Sequence, residues 1–333
     1  MNIDLPRSEP EGDCEMSDDI YAYAKLGRAG LGNLLFTWGR CEIFCARHKL
    51  PMLSPQWTQP KIGPLLRWAK DKRYYTNLFS RKGYVSGLKR WWLLRRARRV
   101  GENEAEQFMA ARSPGGGGGG PALMVFEGIE GLFDPILGHR ELLGPRLRQI
   151  VSPHVAQRLT PLGEGAGIGV HVRHGDKFVV EESVRRPANF LYRIPDDWFV
   201  TVINNVRQVL GATAPVVLFT DARPHEIRPI LDLPNVSLAV DNPSIVDILR
   251  LSTAQVMIGT STSTFGMWSA YLRAMPSIWY PSEHVFTLTP DKPGYQITAG
   301  LDGSLPGGCE ATLRGAMGAQ AAISTGHDSR GAR

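Results

Sequence analysis

Five short apolar runs between residues 167 and 281, "GIGVHVR", "APVVLFTD", "VSLAV", "QVMIGT" and "PSIWYP", alternate with stretches of helical spacing at 196–210, 223–232, 243–253 and 264–274. That alternation leaves few folds open. A strand, a helix and a second strand in one sheet make a crossover, and such crossovers join parallel neighbours. The expected architecture is an α/β fold with a mostly parallel, doubly wound sheet. The first half opens in the same way. "IYAYA" reads as a strand and "KLGRAGLGN" as a glycine-rich turn, and Leu34, Leu35, Trp38, Cys41, Ile43, Phe44 and Cys45 then recur with helical spacing. A chain of 333 residues exceeds the usual size of a single core, so two domains are expected.

Residues 1–18 and 301–333 are rich in Gly, Ala, Ser and charge without a periodic apolar face, and both are expected to be disordered. Between them, 19–160 and 161–300 form the two domains. The run "SPGGGGGGP" (113–121) interrupts the first as a flexible connector.

In "IGVHVRHGDK" (168–177), Ile168, Val170 and Val172 alternate toward a buried face, while His171, Arg173, His174, Asp176 and Lys177 gather where the strand ends. Open α/β sheets bind ligands in the crevice beyond the carboxyl ends of their strands, and cations there call for an anion, most commonly phosphate. Arg173 is the phosphate candidate, because the guanidinium fork grips two oxygens at once. The structural alternative is an ion pair between Arg173 and Asp176. A second strand, in "DILRLSTAQVMIGTSTSTFGMWSAYL" (247–272), ends in Thr260, Ser261, Thr262, Ser263 and Thr264 just before a helix. Hydroxyls and free N–H groups at a helix N-terminus make an anion site, whereas capping needs only one of them.

"GRAGLGN" (27–33) is no dinucleotide fingerprint: it lacks the third glycine, and no acid follows about 20 residues on to hold a ribose. It reads either as a turn with a positive-φ glycine or as a backbone loop that closes on a ligand. The four cysteines have no disulfide spacing. Cys41 and Cys45, one helical turn apart, are expected to be reduced core thiols, and His48 alone does not complete a zinc site. The acidic start of the chain has no secretory pattern and no apolar run is long enough to span a bilayer, so the expected location is the cytoplasm.

"RKGYVSGLKRWWLLRRARR" (81–99) carries eight bases and no acid. With Leu88, Trp91, Trp92 and Leu94 among the cations, it has the composition of a segment lying in a membrane interface, which would place the chain peripherally on the inner face of the membrane against anionic lipid. The same residues also suit tryptophans in the core under a solvated basic face. The block matches no RNA- or DNA-binding module, and no nucleic-acid partner is expected.

"HVRHGDK" resembles the H-x-R-R-G/T-D motif of fucosyltransferases that use GDP-fucose. "GLGNLLF" is similar to the "GLGNQ(M/L)F" opening of the bacterial and animal alpha-1,2-fucosyltransferases of glycosyltransferase family 11, and "FEGIEGLF" resembles their "GYFQSEKYF". "LFTDAR" resembles the second shared motif, and "DILRLSTAQVMIGTSTSTFG" the third motif of the wider superfamily that includes the alpha-1,6 and Nod-factor enzymes. The similarity runs with gaps over about residues 25–275.

The resemblance implies a GT-B-like fold, two Rossmann-like domains with a donor cleft between them. The first domain would lie on the acceptor side and the second would bind the donor. It implies transfer of fucose from GDP-fucose to a hydroxyl of a glycan or lipid-linked oligosaccharide acceptor, with inversion and without a metal or other cofactor. His171 and Asp247 correspond to residues that contact guanine, and Arg173, Thr262 and Ser263 to residues that hold the β-phosphate. Gly30, Gly32 and Asn33 form the loop on the donor. Lys177 and Glu181 correspond to residues near the reacting sugar, and such a glutamate can act as general base. Glu130 and Asp176 are the alternative bases. The second Arg of the motif is His174 here, and "SSFSWWG" is replaced by "TSTFGMW". Two alternatives follow from these departures: a nucleotide-binding or scaffold protein that has lost transfer, and a transferase of another nucleotide sugar.

Overall fold

Strand β1 (Ile20–Ala24) is buried along its whole length and divides its side chains between two faces: Ile20, Ala22 and Ala24 join one core, Tyr21 and Tyr23 another. Its neighbours are β2 (Met52–Leu53) on one side and β4 (Ala122–Phe126) on the other, with β3 (Arg98–Gly101) outside β4, all parallel. The computed structural model describes residues 20–57, 75, 77–111, 120–160, 162, 167–175, 186–188, 192–240, 242–284 and 286–316.

The second sheet has six parallel strands. Their order is β10 (Gln296–Thr298), β9 (Ser277–Trp279), β8 (Val256–Gly259), β5 (Ile168–Val172), β6 (Val216–Thr220) and β7 (Val236–Leu238). The chain lays down β5, β6 and β7 outward in one direction, then returns to the other side of β5 for β8, β9 and β10. This is the strand order of the Rossmann sheet, and the direction reverses between β5 and β8. The first sheet reverses between β1 and β4. The architecture is thus α/β and GT-B-like, with two Rossmann-like parallel sheets.

The alternation in β5 conceals a second buried face. Ile168, Val170 and Val172 pack in the core beneath helix Asp196–Leu210, while a Cβ at Gly169 would stand 2.5 Å from Leu251, on the opposite side. Helices cover both faces of a parallel sheet, so all five residues of β5 are buried rather than every second one.

Helix α1 (Leu31–His48), which follows β1, lies between the two sheets. Its Phe36 meets Trp268 at 5.3 Å and Phe133 at 4.8 Å, and Trp268 belongs to helix α2 (Thr264–Arg273), which follows β8. A single hydrophobic cluster therefore runs from β1 through both helices to Met257 on β8. Cys41 and Cys45 are free and buried within it.

The expected disorder after residue 300 is corrected over its first part. Residues 309–316 are helical, and Cys309 and Leu313 are buried in the same core as Trp198 and Ile297. Asn205 and Trp198 donate to the carbonyls of Gly303 and Gly300, both at 2.9 Å, fixing the connection. Leu301, Leu305, Cys309 and Leu313 recur every four residues, a signal masked by the Gly and Pro between them. Residues 1–18 and 317–333, and the glycine run up to residue 119, lie outside the described residues.

Candidate active site

At the reversal point of the second sheet, β5 and β8 end side by side. The β5 end is closed by Thr260, whose Oγ1 donates to the His171 carbonyl (3.1 Å) and accepts from the Arg173 N–H (3.1 Å). Thr260 is thereby spent on the strand ends. His171 and Arg173 are brought to the same edge as Ser261, Thr262 and Ser263.

Arg173 is paired with Asp221, at the end of β6; the alternative pair with Asp176 falls on a residue outside the described ones. Asp176, Lys177 and Glu181 lie outside the described residues. One carboxylate oxygen of Asp221 accepts from the Arg173 guanidinium and the other from the His174 backbone N–H at 2.9 Å. Gly175 makes this possible: at φ +45 a Cβ there would stand 2.7 Å from the Asp221 carboxylate and 3.0 Å from the guanidinium carbon. The Arg173 side chain keeps 28% of its exposure, so the fork is oriented without being sealed from the crevice. Asp221 was legible only as part of "LFTDAR", with no role attached to it.

His174 has a different place from its neighbour. Its ring is buried and bonds Asp196 through Nε2 at 2.9 Å, in the first turn of helix Asp196–Leu210. It ties the strand end to that helix. His171 is also buried, its ring stacked on Phe265 at 5.0 Å and 16°. Gly266 leaves the space for it, since a Cβ there would lie 3.0 Å from Nδ1. Asp247, half-buried in the first turn of helix Ser244–Leu251, stands at the same edge of the sheet. That helix is held against α2 by Ser269, which donates to the Ile248 carbonyl at 3.0 Å.

The hydroxyl cluster divides by task. Thr264 donates to the Asn33 side chain at 2.9 Å, across to α1. Ser263 is the N-cap of α2 but makes no side-chain capping bond. The Ser261 Oγ is buried without a partner among the described residues. Unspent buried hydroxyls are costly, and a helix N-terminus without a side-chain cap attracts anions. The pair of features supports the anion reading of "TSTST" over plain capping.

The glycine-rich loop serves closeness rather than turn geometry. Gly27, Gly30 and Gly32 all have negative φ, so the positive-φ reading is corrected. A Cβ on Gly30 would meet nothing within 4 Å, whereas one on Gly32 would stand 2.6 Å from the Thr264 hydroxyl and 3.0 Å from its carbonyl carbon. The Gly32 carbonyl accepts from the Trp268 indole at 2.7 Å. The N-termini of α1 and α2 therefore touch, and the carboxyl edges of both sheets border one rim. Gly32→Ala is expected to cost about 1–3 kcal/mol by overpacking, read as a lowered Tm. Adding Thr264→Ala removes the closest clash and should restore part of the loss; strict additivity of the two changes would contradict the packing account.

Across the rim, the loop after β4 carries Glu130. The loop is anchored to α1 by Thr37, which donates to the Gly128 carbonyl at 2.6 Å, and by Arg40, which donates to the Glu127 carbonyl at 2.9 Å. Glu130 is exposed, and its carboxylate folds back over Gly128, where a Cβ would overlap it.

No protein-family model matches the chain, and no curated protein matches it in sequence. Among solved structures it is similar to NodZ alpha-1,6-fucosyltransferase co-crystallised with GDP, an enzyme from Bradyrhizobium, at 15% identity and a TM-score of 0.46, over 80% of this chain and 97% of that one. POFUT1 in complex with GDP gives 13% and 0.43, over 78% and 97%. Arabidopsis thaliana FUT1 in complex with GDP gives 11% and 0.42, over 85% and 74%. Likeness of this degree concerns the course of the chain and bears on neither ligand nor reaction.

Proposed function

We propose that the chain is a glycosyltransferase that moves fucose from GDP-fucose to a hydroxyl of a glycan acceptor, with inversion and without a metal. The observation that carries this reading is the pairing of two anion-binding features at one reversal point: the Arg173 fork held in place by Asp221, and the uncapped N-terminus of α2 with the buried Ser261 hydroxyl. The motif resemblance supplies the donor's identity.

In this reading His171 and Asp247 contact guanine, and Arg173, Thr262 and Ser263 hold the β-phosphate. When the bond from the sugar's anomeric carbon to the phosphate oxygen breaks, the electron pair leaves with GDP. Donors already aimed at that oxygen stabilise the developing charge without reorganising. Gly30, Gly32 and Asn33 bring the first domain's helix N-terminus against the donor, and the acceptor hydroxyl attacks from the opposite face of the sugar. Lys177 stands near the sugar and Glu181 takes the acceptor's proton.

The test is incubation of the purified chain with a panel of GDP- and UDP-sugars, with nucleotide release and sugar hydrolysis as readouts. Release of GDP from GDP-fucose above all other donors is the expected result. Preference for a UDP-sugar would overturn the donor assignment, and tight GDP binding without turnover on any acceptor offered would favour a protein that has kept the fold and lost transfer.

A further inference from the structure

Helix Gly87–Arg96 is built inside out. Its neighbours within the protein are reached by Leu93, its one buried residue, by Leu94 packed on the same cluster, and by cations: Lys89 lies over the Tyr21 ring at 5.3 Å, and Arg90 lies over Tyr23 at 5.5 Å and donates to the Ser54 carbonyl at 2.8 Å. Leu88, Trp91, Trp92 and Arg95, at positions i, i+3, i+4 and i+7, form the opposite stripe. That stripe faces out: Leu88 is 85% exposed, Trp91 53% and Trp92 47%. The reading that buried the tryptophans in the core is thereby corrected.

A surface helix normally turns its apolar stripe inward. Here the stripe is unpartnered among the described residues, and the segment that carries it is basic. Arg95 stacks on Trp91 at 4.4 Å, and Arg81, Lys82, Lys89, Arg96, Arg98 and Arg99 are all exposed nearby, with no acid anywhere in 81–99. An open groove beside the helix, lined by Tyr23, Lys25, Leu94, Arg99, Leu123 and Val125, adds one further cation, Lys25, which is paired with Glu127 at 2.6 Å, above an apolar floor. Apolar side chains and indoles ringed by arginine match a headgroup layer, with rings at the boundary and cations toward lipid phosphate. Among the described residues no helix is long and apolar enough to cross a membrane, so contact of this kind would be peripheral.

We propose that this face docks on an anionic lipid bilayer surface, with Leu88, Trp91 and Trp92 entering the headgroup boundary and the arginines meeting lipid phosphates. The surface lies on the outer face of the first sheet, away from Arg173, so it stands or falls separately from the donor assignment.

The experiment is co-sedimentation of the full chain with phosphatidylglycerol vesicles and with neutral phosphatidylcholine vesicles, at low and high salt. Binding should favour the anionic vesicles and weaken as salt screens it. Trp91→Ser with Trp92→Ser, and separately Arg95, Arg96, Arg98 and Arg99 changed to Ser, should each weaken partitioning about tenfold or more. Both variants alter exposed side chains and should keep the wild-type Tm. Equal sedimentation of wild type and variants, or equal binding to neutral vesicles, would overturn the proposal. So would a lipid-free dimer that the tryptophan variant dissolves, since the face would then belong to a second copy of the chain.

Discussion

Arg173→Lys is expected to lower kcat/KM for GDP-fucose about a hundredfold or more, the size of loss that follows removal of one strong donor to a developing oxyanion. A guanidinium can donate to Asp221 through one nitrogen and to phosphate oxygens through others in the same plane. An ammonium is a point charge on a flexible stem and cannot hold both geometries. In the lysine variant the Asp221 carboxylate, only 19% exposed, competes for the single cation. The charge is conserved while the orientation is lost, so the measurement isolates orientation. Because the β-phosphate carries charge before transfer and more during it, both KM and kcat should move. Circular dichroism and Tm must match wild type for the comparison to hold. Near-normal kcat/KM in a folded Arg173→Lys protein would remove the phosphate role.

The arrangement around Arg173 shows how far sequence could reach. The alternation from 167 to 281 placed β5 to β9 and α2 nearly to the residue, because buried parallel strands leave continuous apolar runs that few other structures produce. β3 was hidden inside the basic block: as an edge strand it buries only Val100, and its exposed arginines read as charge rather than as sheet. Pairing was the second blind spot. Asp221 is forty-eight residues from Arg173, yet the strand order puts β5 beside β6 and brings its carboxylate to the guanidinium. Spacing along the chain carries no information about which strand ends will be neighbours.

His174 illustrates the same limit from the other side. The resembled motif has a second arginine where this chain has His174, a side chain with less charge to offer a phosphate. The ring instead binds Asp196 and helps fix the strand end to the following helix. His174 therefore serves to brace the end of β5, and in the proposed reading the phosphate charge would fall on Arg173 and on the N-terminus of α2.

In the proposed transfer the proton of the acceptor hydroxyl must go somewhere, and three carboxylates are candidates: Glu181 by its spacing after the motif, Glu130 across the rim, and Asp176. Glu181→Gln is expected to cut turnover by about a hundredfold or more, the contribution of a positioned general base, while GDP affinity stays unchanged because the residue serves the acceptor. Glu130→Gln offers the contrast. Its loop is tied to α1 at Gly128 and Glu127, so the substitution leaves the backbone in place and tests the carboxylate alone. An amide is isosteric with the acid and takes no proton near neutral pH, so a base should show a loss confined to kcat and a flattened acidic limb in the pH profile of kcat. A residue that merely positions the acceptor would raise KM and leave that limb intact. If Glu181→Gln turned over at the wild-type rate while Glu130→Gln lost it, the base would be the carboxylate on the first domain. If neither variant nor Asp176→Asn changed turnover, no protein carboxylate would serve as base, the proton would pass to water, and the catalytic burden would rest on Arg173 and the hydroxyls before α2.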